Sequence, residues 1–112
     1  MLLAPIVLFV FNRLNHTQLT IEALKKNYLA NESELYIFSD EGRNNNEKAT
    51  VNEVRQYLET ITGFKKITII KRNENYGLAK SLISGITEII TINGQVIVLE
   101  DDIVTRKGFL KY

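Results

Sequence analysis

The sequence predicts an α/β fold built on a doubly wound, mainly parallel sheet, with strands and helices alternating in the order βαβαβαβ. Three observations lead to it. Four short runs rich in β-branched and aromatic residues recur along the chain, at residues 6–11, 35–38, 67–70 and 96–99. The stretches between them carry apolar residues at helical spacing and are long enough to cross back over a sheet, which favours parallel strands with right-handed connections. The first run is apolar without period-two alternation, as a strand covered on both faces should be.

Taken in order, the run at residues 6–11 reads as a buried strand ended by polar Asn12 and Arg13. Asn15, followed three residues later by Gln18, has the spacing of a capping box and predicts a helix start. Ile21, Leu24 and Tyr28 then recur on one helical face. Residues 35–38 form a second strand that runs into Ser39-Asp-Glu-Gly42, and residues 43–48, with three consecutive asparagines, read as a loop. Val51, Val54, Leu58 and Ile61 predict a second helix, with Gly63 at its C-terminal cap. Residues 67–70 make a third strand, and Leu78, Leu82, Ile86 and Ile89 trace a third helix that stops at Asn93 and Gly94. Residues 96–99 complete the series and lead directly into Glu100, Asp101 and Asp102. Residues 105–112 read as the opening of a further element, so a partial domain is expected.

At 112 residues there is room for a single domain spanning 1–112. With 45% hydrophobic residues it has the material for a real core, which argues against disorder. Fourteen basic and 13 acidic residues give a net charge of +1, a balance that gives no electrostatic reason to expect a nucleic-acid partner. The chain has no cysteine, so disulfides and thiolate metal sites are excluded. The apolar stretch at residues 1–11 is too short to span a bilayer, which takes ~20 residues, and it lacks the basic start and cleavage site of a signal peptide. A cytoplasmic chain is the expectation.

In an open parallel sheet the ligand site lies beyond the carboxyl ends of the strands. All four predicted ends are polar: Asn12 and Arg13, then Asp40 and Glu41, then residues 72–75, then Glu100 to Asp102. For the first three, solvated loops explain the polarity as well as a ligand does. Three adjacent carboxylates after an apolar strand are different, because they repel one another and gain nothing from packing. A hard divalent cation relieves that repulsion through oxygen ligation, and with no cysteine and one histidine the choice falls on Mg²⁺ or Mn²⁺ over zinc. The competing reading is an acidic loop capping a following helix.

These residues resemble a known family. Val96-Ile-Val-Leu-Glu-Asp-Asp-Ile103 is similar to the DxD-type motif of GT-A glycosyltransferases, in the Glu-Asp-Asp form of Golgi N-acetylglucosaminyltransferases. Arg72-Asn-Glu-Asn-Tyr-Gly-Leu-Ala79 resembles the stretch that opens the helix before that motif in bacterial family 2 enzymes. Residues 5–13 resemble their first strand, and Ser39-Asp40 falls where they carry a base-contacting aspartate. The likeness runs over essentially the whole chain. It implies a Rossmann-like, N-terminal nucleotide-sugar-binding half of such a transferase, acting in polysaccharide biosynthesis. It further implies that Asp102, assisted by Asp101, holds Mn²⁺ or Mg²⁺ bridging the diphosphate, with Glu100 supporting the loop and Asp101 also near the ribose. Asp40 would meet the base, Asn12 and Arg13 would line the nucleotide pocket, and Asn75 and Gly77 would shape the wall nearest the diphosphate and sugar. For Gly77, a turn glycine before a helix is an equal reading.

The implied donor is a nucleotide-sugar, a UDP-sugar first, and the implied acceptor a glycan or lipid-linked molecule. In this family the catalytic base and acceptor site belong to the second half of the domain, so no base is assigned and the chain alone is expected not to transfer sugar. Peripheral membrane association and pairing of two copies stay open. Two other readings compete. Sugar-nucleotidyltransferases share such a sheet, but Asn12 to His16 holds no glycine of their glycine-rich signature. A non-catalytic Mg²⁺-binding module of the receiver kind would want an acidic pair after the first strand, where Asn12 and Arg13 stand. Glu59, Glu88, His16 and the cluster Lys65, Lys66, Lys71 and Arg72 read as surface groups, while Tyr76 reads equally as a stacking platform or a packed aromatic.

Overall fold

β1 (Ile6–Val10) is buried at every position, and it sits in the interior of the sheet because nothing in it is polar. The computed structural model describes residues 5–26, 30–93 and 97–100. After β1 come α1 (Leu14–Lys25), a short 3-10 turn (Ala30–Glu32), β2 (Glu34–Ser39), α2 (Asn45–Leu58), β3 (Lys66–Lys71), α3 (Leu78–Asn93) and β4 (Ile97–Glu100). The fold is α/β, with an open, all-parallel sheet alternating with helices. Its strands lie in the order β3-β2-β1-β4. The register pairs Ile6 with Leu35 and with Ile97, and Glu34 with Lys66.

Alternation along β1 sends its side chains to two separate cores, as a pleated strand requires. Ile6, Leu8 and Val10 join Leu35 and Ile37 of β2, Ile21 and Leu24 of α1, and Val54 and Leu58 of α2. Val7 and Phe9 face the other way, where Phe38 and Ile89 are buried with them and Leu82 and Ile86 of α3 pack alongside. Two helices thus cover one face and one helix covers the other. Each fully buried aliphatic side chain contributes roughly 1.5–3 kcal/mol by leaving water.

Several element boundaries differ from the sequence expectation. The capping box of Asn15 and Gln18 does not form: α1 begins at Leu14 after Arg13, which offers no side-chain cap. The carbonyl of Arg13 instead accepts both the amide of Thr17 at 2.9 Å and its hydroxyl at 2.8 Å, which fixes the first turn earlier. The asparagine-rich segment expected to be a loop is the start of α2. Asn44 is its N-cap, and its side chain accepts the amide of Glu47 at 2.9 Å. At the other end α2 stops at Leu58, so Ile61 lies beyond the helix and packs against the aliphatic core from there. Gly63, with φ of 98°, belongs to the connection to β3 and does not cap α2. Tyr28, Gly94, Val96 and residues 105–112 lie outside the described residues. No helix among the described residues is long and apolar enough to cross a membrane.

Candidate functional site at the carboxyl edge of the sheet

Parallel strands bring all their carboxyl ends to one edge, and the strand order reverses at β1, which has β2 on one side and β4 on the other. At such a reversal the connections leave toward opposite faces and open a crevice. Asn12, half-buried, and Arg13, exposed, follow β1. Glu100 ends the neighbouring β4, in register with Phe9. Asp101 and Asp102 lie outside the described residues. Among the described residues no three His, Asp or Glu side chains are grouped to hold a metal ion.

The ends of β2 and β3 are tied together in detail. Asp40 is 7% exposed, and its amide donates to the carbonyl of Val10 at 3.1 Å, continuing the β1–β2 ladder. Its Oδ1 accepts the amides of Glu41 at 2.9 Å and Tyr76 at 2.8 Å. Its Oδ2 accepts the amide of Gly77 at 3.1 Å and, more weakly, Asn75 Nδ2 at 3.4 Å. Asn75 Nδ2 also donates to the carbonyl of Glu41 at 2.7 Å. Asp40, Asn75 and Gly77, far apart in sequence, therefore form one network. Gly77 has φ of 77° and no atom within 4 Å of where a Cβ would stand. Its backbone conformation, not crowding, makes glycine the fitting residue there.

Arg55 is the residue that sequence reasoning missed. From α2 its guanidinium donates to Ser39 Oγ at 2.9 Å, to the carbonyl of Ser39 at 3.0 Å and to the carbonyl of Arg72 at 2.9 Å. It also meets Glu41 Oε2 at 3.4 Å. The sequence did carry a sign of it. Position 55 is four residues after Val51 and three before Leu58, so a cation stands on the core-facing stripe of α2 and needs acceptors there.

Arg72, expected at a solvated edge, is nearly enclosed: its side chain is 11% exposed. Its guanidinium lies 5.0 Å from the ring of Phe38 and 4.7 Å from that of Tyr76, and Lys80 Nζ lies 4.3 Å from the Tyr76 ring. Phe38 stacks in turn on Phe9 at 5.4 Å. Cations over aromatic faces are attracted by the ring quadrupole, so Tyr76 is a packed aromatic held by two cations. Glu88 Oε1 reaches Arg72 at 3.5 Å, and Glu59 pairs with Lys71 at the surface. Lys65, Lys66 and His16 are exposed.

Chemically, the ends of β2 and β3 are joined by an internally satisfied network of backbone amides, one carboxylate and one guanidinium. Asp40 and Glu41 are engaged by amides and by Arg55. No protein-family model matches the chain, and no curated protein matches it.

Proposed function

We propose that the chain binds a nucleotide-diphospho-sugar, as the Rossmann-like, doubly wound N-terminal half of a GT-A-type glycosyltransferase. The observation that carries this reading is the reversal of strand order at β1, with Asn12 and Arg13 after one strand and the acidic triplet opening at the end of its neighbour. A crevice of that kind accommodates an extended anionic ligand, with its nucleoside along the β1–β2 side and its diphosphate toward β4. The helices on both faces and the order of Asn75 to Gly77 and then Glu100 to Asp102 support it further. A Mn²⁺ or Mg²⁺ ion held by Asp102 with Asp101 would supply Lewis-acid stabilisation of the negative charge on the departing diphosphate. Asn12 and Arg13 would line the nucleotide pocket, and Asn75 and Gly77 the wall beside the diphosphate and sugar.

Calorimetric titration of the chain with UDP, GDP and dTDP, each with Mn²⁺ and with a chelator, tests the reading. The expected result is Mn²⁺-dependent binding of one nucleotide, UDP first, that is lost in Asp102→Asn. A folded chain that binds none of the three overturns it.

A further inference from the structure

The network that joins the ends of β2 and β3 bears on how this edge recognises anything at all. We infer that Asp40 and Arg55 form a positioning pair that builds the β3–α3 connection before any ligand arrives, and that Asp40 is not itself a ligand contact. A carboxylate presents about four lone-pair directions. In Asp40 they are taken by the amides of Glu41, Tyr76 and Gly77 and by Asn75 Nδ2. For a base N–H to bond this carboxylate, which is 7% exposed, one of those donors from half-buried residues would have to give up its charged acceptor.

Arg55 does the complementary work on the carbonyl side. The carbonyls of Ser39 and Arg72 mark where the β2–β3 ladder ends, and one guanidinium nitrogen takes both, at 3.0 and 2.9 Å. The Ser39 carbonyl also accepts the amide of Arg72 at 3.0 Å, so Arg55 caps the last rung of the sheet. A carboxylate gathering N–H groups and a guanidinium gathering C=O groups together hold residues 72–77 from both chemical directions.

What the pair positions is the layer of Arg72 and Tyr76. Arg72 Nε has no hydrogen-bond partner among the described residues, and Arg72 Nη2 meets Glu88 Oε1 only at 3.5 Å. Cation–ring contact with Phe38 and Tyr76 is therefore the main restraint on its guanidinium, and such non-directional attraction fixes its position loosely. The position comes from the backbone that Asp40 and Arg55 fix. On the proposed nucleotide site, which this part of the inference rests on, a ligand meets a wall whose shape is set by Asp40 and Arg55 without touching them.

The test uses Asp40→Asn and Arg55→Lys in the full chain, with amide hydrogen exchange read without ligand and titration with UDP, CDP and GDP plus Mn²⁺. In Asp40→Asn, exchange at Tyr76 and Gly77 is expected to rise about tenfold or more, as the loss of charge-assisted hydrogen bonds implies, while β1 amides stay protected. In Arg55→Lys the amide of Arg72 is expected to loosen in the same way, because a single ammonium cannot reproduce the fork. Affinity for every nucleotide that binds the native chain should fall by a shared factor in both variants. Unchanged exchange at Tyr76 and Gly77 overturns the inference. So does a shift of preference from UDP toward CDP in Asp40→Asn, since an amide that donates to cytosine N3 marks a direct base contact. If no nucleotide binds the native chain, the proposed function fails and amide exchange alone decides the positioning role. If Asp40→Asn does not fold, Arg55→Lys decides it.

Discussion

The two faces of the sheet are closed by different means. Below α1 and α2, the core is made of full-sized aliphatic side chains, Ile6, Leu8, Ile21, Leu24, Leu35, Ile37 and Val54, all with no exposed surface. Below α3, a single helix must cover its side, and it does so by coming close to two flat, stacked rings. Gly85 makes that approach possible: a Cβ there would stand 2.8 Å from Phe9 Cε1 and 3.2 Å from Phe38 Cδ2. One face fills space with side-chain volume and the other removes the space. The first should therefore suffer from lost atoms and the second from added ones.

The largest expected effect tests the first half of that contrast. Leu8→Ala removes buried methyl groups from the centre of the two-helix core, where neighbours on three elements cannot all collapse inward. A loss of about 2–5 kcal/mol is expected in chemical denaturation, and a loss below about 1 kcal/mol would mean that this core is not close-packed. Gly85→Ala follows. Alanine is favoured in a helix by roughly 1 kcal/mol, whereas overpacking against a ring costs about 1–3 kcal/mol. Rings are not flexible chain ends that swing aside, so a net loss is expected, and Gly85→Val, which lacks the propensity gain, should lose more. A stabilised Gly85→Ala would break the comparison, because it would show α3 riding free of the rings.

How far the sequence disclosed this arrangement depends on the range of the interaction. The strands were legible because β-branched runs declare themselves locally, and the stripe of Leu82, Ile86 and Ile89 identified the inward side of α3. Helix starts were less so. Asn15 and Gln18 have capping-box spacing, yet the Arg13 carbonyl captures Thr17 first and the helix begins without them. Asn44 and Glu47 have the same spacing inside an asparagine-rich segment, where composition argued for a loop while the cap geometry won. At the carboxyl edge, the gathering of Asp40, Asn75 and Gly77 followed from parallel topology. Their pairing did not, since donors 35 to 37 residues away in sequence select Asp40 only once the sheet has formed. Arg55 was hidden for the same reason: two of its four acceptors are backbone carbonyls, which leave no trace in residue identity.

The two-helix face also depends on how α2 is started, which gives the contrast a smaller test. Asn44→Ala leaves the amide of Glu47 without its acceptor and should cost about 1 kcal/mol. Faster hydrogen exchange is expected in the first turn of α2, with none in α3, and equal loosening of both helices would contradict the separation of the faces.

The smallest effect lies one bond further out and is read by pH. The Arg43 guanidinium donates two bonds to Glu47, and the Arg43 amide a third, across the start of α2. These bonds, the guanidinium's first, hold the Glu47 carboxyl at about 2, below its ordinary 4.5. A depressed carboxyl stabilises the fold above its unfolded value and loses that contribution as protons bind. The window therefore runs downward from about 4.5 to about 2. Because the pair is at the surface, salt should weaken it. Stability measured from pH 6 down to pH 2 in native chain and Glu47→Gln should converge as the pH falls, with first-turn amides of α2 loosening before those of α3. A difference between the two that persists at pH 2 would mean that Glu47 acts through its shape and its hydrogen-bond acceptors alone, and not through its charge.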